Sequence, residues 1–87
     1  MNRNSVFPAP AASDFADKRV FLVGIKGTGM AALAELLKDR GAVVSGSDTS
    51  EKFYTDHILD RLGIRYVEQF TDTNIDSNVD LVVHSAA

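Results

Sequence analysis

The residues best placed to do chemistry lie in one short loop, Gly24-Ile-Lys-Gly-Thr-Gly29. It stands between an apolar run and a stretch with helical spacing. Glycines let a backbone turn sharply and leave room for phosphate oxygens, and a following helix offers free N–H groups and a partial positive charge. The chemistry on offer is therefore anion or nucleotide binding. The alternative is a tight turn whose glycines serve packing alone. The spacing is G-x-x-G-x-G. It is not the dinucleotide pattern G-x-G-x-x-G, because Lys26 stands where the second glycine belongs. Nor is it a P-loop, since Met30-Ala31 replaces the lysine and magnesium-binding hydroxyl that follow the last glycine there. Lys26 reads either as a cation beside a pyrophosphate or as a solvated loop lysine.

Asp48 follows Gly24 by 24 residues and closes a second apolar run. In dinucleotide sites an acid at this position accepts hydrogen bonds from a ribose. A carboxylate there also repels a 2′-phosphate. The competing reading is a turn or capping residue, because Ser47-Asp-Thr-Ser50 is rich in capping types. On the nucleotide reading a strand-end acid carries little of the core; the turn reading predicts that its loss lowers thermal stability. His84 precedes Ser85 at the end of the last apolar run, and a lone histidine there is more often structural than ligating. His57 falls inside a helical stretch and reads as a surface residue. Asp56, Asp60, Asp72, Asp76 and Asp80 are scattered, and no metal cluster, Ser–His–Asp set or carboxylate pair stands out.

These residues need a scaffold. Arg19–Val23 is a short, near-continuous apolar run, as in a strand buried on both faces. Met30, Leu33, Ala34 and Leu37 recur at helical spacing, and Gly41 is a natural stop. Ala42–Ser45 predicts a second strand ended by Gly46-Ser47-Asp48. Tyr54–Leu62 predicts a helix with Ile58, Leu59 and Leu62 inward. Ile64–Val67 and Asp80–His84 predict two more strands. Strands alternating with helices imply a parallel sheet with right-handed crossovers, and the leading choice is an α/β, Rossmann-like sheet of order 3-2-1-4. Residues 18–87 form this domain. Residues 1–17, which hold both prolines, read as a flexible leader, the alternative being a segment that docks on the domain through Val6, Phe7 or Phe15. A doubly wound sheet usually has five or six strands, so the sequence reads as the front part of a longer chain.

Composition narrows the field. The 87 residues are 45% hydrophobic and 24% charged, with a net charge of −3. No basic excess exists to grip nucleic acid or an anionic membrane. The absence of cysteine excludes disulfides and cysteine-ligated metal centres, and suits a reducing cytoplasm. No apolar run approaches the roughly 18 residues of a membrane span.

Three stretches carry a family resemblance: Val23-Gly-Ile-Lys-Gly-Thr-Gly-Met30, Leu33-Ala-Glu35 and Val44-Ser-Gly-Ser-Asp48. Together they resemble the N-terminal domain of the Mur ligases. Glu51-Lys-Phe-Tyr-Thr55 and Asn74-Ile-Asp76 fit the alanine-adding branch, with the branch that recycles murein tripeptide second. The resemblance covers Val20–Ala87. It implies a domain that binds the UDP part of UDP-N-acetylmuramate, in front of a central domain that takes ATP and magnesium and a third that helps bind the amino acid. The family reaction activates the muramyl carboxylate as an acyl phosphate. By resemblance, Gly24, Ile25, Lys26, Gly27, Thr28, Gly29 and Met30 would hold the diphosphate. Ser47 and Asp48 would approach the ribose or uracil, and Ser85 and Ala86 would line the same pocket. Many relatives carry Gly-His after the third strand. Here Gln69-Phe70 stands instead, which offers an aromatic edge to the uracil. No catalytic residue, metal ligand or ATP site is expected within these residues, and no ligase turnover. Two other classes fit more loosely: an NAD-binding regulatory module and an interaction domain with an empty loop.

Overall fold

A computed structural model describes residues 15–69, 75 and 77–84. The elements in chain order are β1 (Arg19–Val23), α1 (Thr28–Asp39), β2 (Val43–Ser47), α2 (Thr55–Arg61), β3 (Arg65–Val67) and β4 (Leu81–His84). The four strands form one parallel sheet of order β3-β2-β1-β4. The expected α/β class and strand order are those observed.

The core lies between the sheet and the helices. Val20, Leu22 and Val44 of the strands meet Ala31, Ala34 and Leu37 of α1, with Leu59 of α2, Ile25 and Ile64 completing the cluster. Met30, Leu33 and Leu62 pack at its margin, and so does Phe15. Small residues at 31 and 34 let α1 lie close to the sheet. The helix ends as its sequence dictates: Arg40 N–H reaches the carbonyls of Leu36 and Leu37, and Gly41, at φ 92°, donates to Lys38. Asp80 pins the start of β4 to β1. Its carboxylate accepts from Arg19 N–H at 2.8 Å, and its own N–H donates to the Arg19 carbonyl at 2.8 Å.

One boundary differs from expectation in a way that matters. β2 does not stop at Ser45 but continues through Gly46 and Ser47. Gly46 sits in register between Leu22 and Tyr66. Ile25, just past the end of β1, folds back over it. A Cβ at position 46 would run into the Leu22 carbonyl and come within 2.9 Å of Ile25 Cβ. The glycine is there for close approach, not to end the strand. Among the described residues, no helix is long and apolar enough to cross a membrane.

Candidate functional site

The glycine loop leaves β1 at the carboxyl edge of the sheet, where open α/β sheets bind ligands. Its first four N–H groups are all committed to the protein. Gly24 and Ile25 both donate to the Ser47 carbonyl, at 2.8 and 3.1 Å. Lys26 donates to Asp48 Oδ2 at 2.8 Å, and Gly27 to the Gly24 carbonyl at 3.1 Å. Gly24 takes φ 83°, a conformation glycine adopts without strain. Gly27 is the N-cap of α1 and contributes no side chain, and the first turn holds no acidic residue. Helix geometry leaves the N–H groups of Thr28, Gly29 and Met30 without an intrahelical acceptor. The loop is a rigid turn that presents the electropositive end of a 12-residue helix.

A cleft of about 320 Å³ opens beside it, lined by Gly24, Lys26, Gly27, Thr28, Asp48, Phe53 and Tyr54. Five of these were expected from sequence. Phe53 and Tyr54 were not, though Glu51-Lys-Phe-Tyr-Thr55 had drawn notice. They form the far wall, and Tyr54 Oη lies 3.2 Å from Thr28 Oγ1 across the mouth of the helix. Ser47 is buried and acts through its carbonyl. Ile25 turns its side chain into the core. Gly29 and Met30 stand in the first turn of α1 beside the cleft, with open space where a Cβ on Gly29 would be. Ser85, Ala86 and Phe70 lie outside the described residues, as do Val6 and Phe7. His84 ends β4 opposite Val23, and His57 is exposed as expected.

Asp48, read from sequence as a nucleotide contact or a turn residue, is 8% exposed, and its two oxygens accept from Lys26 N–H and from Thr49 N–H at 2.7 Å. It braces the glycine loop while its remaining lone pairs border the cleft. Lys26 is neither a solvated loop lysine nor a cation reaching for a phosphate. Its side chain is 1% exposed. Nζ lies 2.8 Å from Glu68 Oε2, 3.3 Å from Asp56 Oδ2 and 2.9 Å from the Glu51 carbonyl, beneath the Tyr66 ring at 5.4 Å. Lys52 closes the cluster, 3.1 Å from the same Glu68 oxygen. Asp56 and Glu68 were missed as site residues. Nothing local in the sequence marks them, since they lie 30 and 42 positions from Lys26.

This cluster titrates in a defined way. Burial pushes the Lys26 ammonium down, but hydrogen bonds to Glu68 and Asp56 and their charges outweigh it and hold its pKa above 10.5. The Glu68 carboxyl is held below its ordinary 4.5, first by the hydrogen bond from Lys26 and then by that from Lys52. Burial raises the Tyr66 phenol, with Asp56 and Asp60 adding to it. The Glu68 contribution to stability is complete above about pH 4.5 and is lost as pH falls through its depressed folded value. The Lys26 contribution is complete below about pH 10.5 and is lost as pH rises through its raised one. Melting temperature should therefore fall on acidification below pH 4.5. Glu68→Gln should flatten that acid limb; an unchanged limb would assign the acid sensitivity to other carboxylates.

Among the described residues, the glycine loop does not fit the ATP–magnesium group that a P-loop holds. Met30-Ala31 occupies the positions of the P-loop lysine and hydroxyl. The nearby lysine is already neutralised, and the described residues hold no group of three potential metal ligands.

A family model described as "Mur ligase family, catalytic domain" matches residues 19–87. Among curated proteins, the chain is 53% identical over 74 residues to the UDP-N-acetylmuramate–L-alanine ligase of Treponema pallidum (strain Nichols), covering 85% of this chain and 15% of that protein. It is 44% identical over 78 residues to the protein of that name from Borreliella burgdorferi, covering 85% and 17%. For the one from Lactobacillus acidophilus the identity is 43% over 67 residues, covering 77% and 15%. The chain thus spans about one sixth of the length of these relatives. No solved structure matches it.

Proposed function

The chain belongs to the Mur ligase family, and from that premise we propose that its cleft binds the UDP part of UDP-N-acetylmuramate. The observation that carries this reading is the helix mouth. Three amide N–H groups of the first turn of α1 stand beside a cleft with a carboxylate on one side and two aromatic rings on the other. That is a division of labour a nucleoside diphosphate would use. Diphosphate oxygens would take the N–H groups and the helix dipole. Asp48 would accept from a ribose hydroxyl or from the uracil N3–H with its remaining lone pairs. The aromatic wall would lie along the base. Lys26, already paired, would contribute no charge.

The relatives' names, which speak of a ligase of UDP-N-acetylmuramate and L-alanine, support a wider role. In a whole protein of their length this domain would hold the nucleotide end of the substrate. Parts beyond the matched region would bind ATP and magnesium and join L-alanine to the muramyl carboxylate, in peptidoglycan synthesis in the cytoplasm. These 87 residues would orient substrate rather than perform chemistry.

Calorimetry with UDP-N-acetylmuramate, UDP, pyrophosphate, NAD and ATP in parallel tests the reading. Binding of the two uridine ligands in preference to NAD and ATP is the expected result. Gly29→Val adds a branched side chain into open space at the helix mouth, so the fold should persist while UDP affinity falls by about tenfold or more, or 1.4 kcal/mol. Wild-type affinity in that variant would place the diphosphate elsewhere.

A further inference from the structure

We infer that Lys26 is a positioning residue: its buried ammonium latches segment 51–54, and with it the Phe53–Tyr54 wall, onto the glycine loop. The wall's need for a latch is plain from its exposure. Phe53 is 42% exposed and Tyr54 64%, so burial alone does not fix these rings over the cleft. Tyr54 Oη meets Thr28 Oγ1 at 3.2 Å, and Lys26 grips both ends of the segment that carries the rings. On one side its Nζ donates to the Glu51 carbonyl. On the other, the Lys26 carbonyl accepts from Thr55 Oγ1 at 2.6 Å and Nζ pairs with Asp56. Asp56 in turn accepts from Phe53 N–H at 3.3 Å. The third donor of the ammonium reaches Glu68, just beyond β3. An ammonium has three N–H donors, and here three oxygens from three segments surround it. Its main-chain N–H, on Asp48, braces the turn itself, while its carbonyl and ammonium tie that turn to the opposite wall and to Glu68.

The charges explain why this position carries lysine. Two cations and two carboxylates sum to zero: Lys26, Lys52, Asp56 and Glu68. Without Lys26, Asp56 Oδ2 and Glu68 Oε2 would face each other with only the exposed Lys52 between them, and the segment they anchor would be driven outward. A latch of this kind sets the width of the cleft before a ligand arrives, so less ordering is left to the binding step.

The ligand arm of the test rests on the nucleotide reading above; the exchange arm does not. Lys26→Met alone risks unfolding, because it strands two carboxylates. The triple variant Lys26→Met, Asp56→Asn, Glu68→Gln keeps side-chain volume and removes the repulsion, yet takes away the ammonium from which the Glu51 carbonyl accepts. It should stay folded, melting below wild type by no more than the lost ion pairs contribute. The amides of Phe53, Asp56 and His57, which donate to Asp56 Oδ1 and to the Phe53 and Tyr54 carbonyls, should exchange with deuterium at least about tenfold faster, a loss of 1.4 kcal/mol of local protection, while those of β1 stay unchanged. UDP should bind about tenfold more weakly, with inorganic pyrophosphate unaffected because it needs only the helix mouth. Wild-type exchange at Phe53, Asp56 and His57 in the folded triple variant overturns the latch, whatever binds. Faster exchange in a protein whose wild type binds no UDP would establish the latch and overturn the nucleotide reading instead.

Discussion

Gly46→Ala should cost this domain about 3 kcal/mol or more, the upper end of what overpacking usually costs. The new methyl would collide with the Leu22 carbonyl and would stand 2.8 Å from Ile25 Cδ1 and 2.9 Å from Ile25 Cβ. Only the Cδ1 contact is with the far end of a side chain. The carbonyl belongs to the central strand β1, and Ile25 is fully buried in the core at the root of the glycine loop. Relief therefore requires β2 to move away from β1 or the loop to lift. An 87-residue domain has roughly 4–13 kcal/mol to lose, so a large share of its stability would go. Gly29→Ala is the matched control. It adds the same methyl into open space within a helix, where alanine is favoured over glycine by up to about 1 kcal/mol. The two substitutions should shift the melting temperature in opposite directions. Equal effects would mean that β2 has room at position 46.

Asp48→Ala should lower stability by about 2–4 kcal/mol and weaken UDP together with it. A hydrogen bond to a charged group contributes about 1.5–3 kcal/mol, and removing one partner so that a buried donor is stranded costs about 1–3 kcal/mol. The two losses are unequal. Thr49 is exposed, so its N–H can turn to water, whereas Lys26 N–H is buried under the loop it anchors. Freed at this point, the turn from Gly24 to Gly27 would no longer hold the helix mouth in place. Asp48→Asn sharpens the test. Its one remaining oxygen can accept from Lys26 or from Thr49 but not from both, so urea denaturation should place it between alanine and wild type. A variant that melts like wild type but loses UDP would make Asp48 purely a ligand contact. One that loses stability but binds UDP unchanged would make it purely a brace.

Much of this protein was written in local pattern. Apolar runs at 19–23, 64–67 and 80–84, helical spacing from Met30 to Leu37 and glycines at 41 and 63 gave the α/β alternation, and right-handed crossovers then leave few strand orders, of which 3-2-1-4 is the one observed. The glycine turn at the carboxyl edge of β1 was equally legible, because glycine spacing and helix onset are local properties of the chain. The fate of the polar groups around that turn was not local. Lys26 meets Asp48, Asp56 and Glu68 across separations of 22, 30 and 42 residues, and parallel crossovers, not spacing, bring them together. From sequence, Lys26 is one loop cation among nine basic residues and Asp48 one turn acid among twelve acidic ones. Packing made the first a buried counter-charge and the second a brace, because a group taken out of water must find its partners within the fold. Gly46 belongs to the same class: as sequence it punctuates a strand, and only the return of Ile25 across the sheet shows that it is there to leave room for a neighbour.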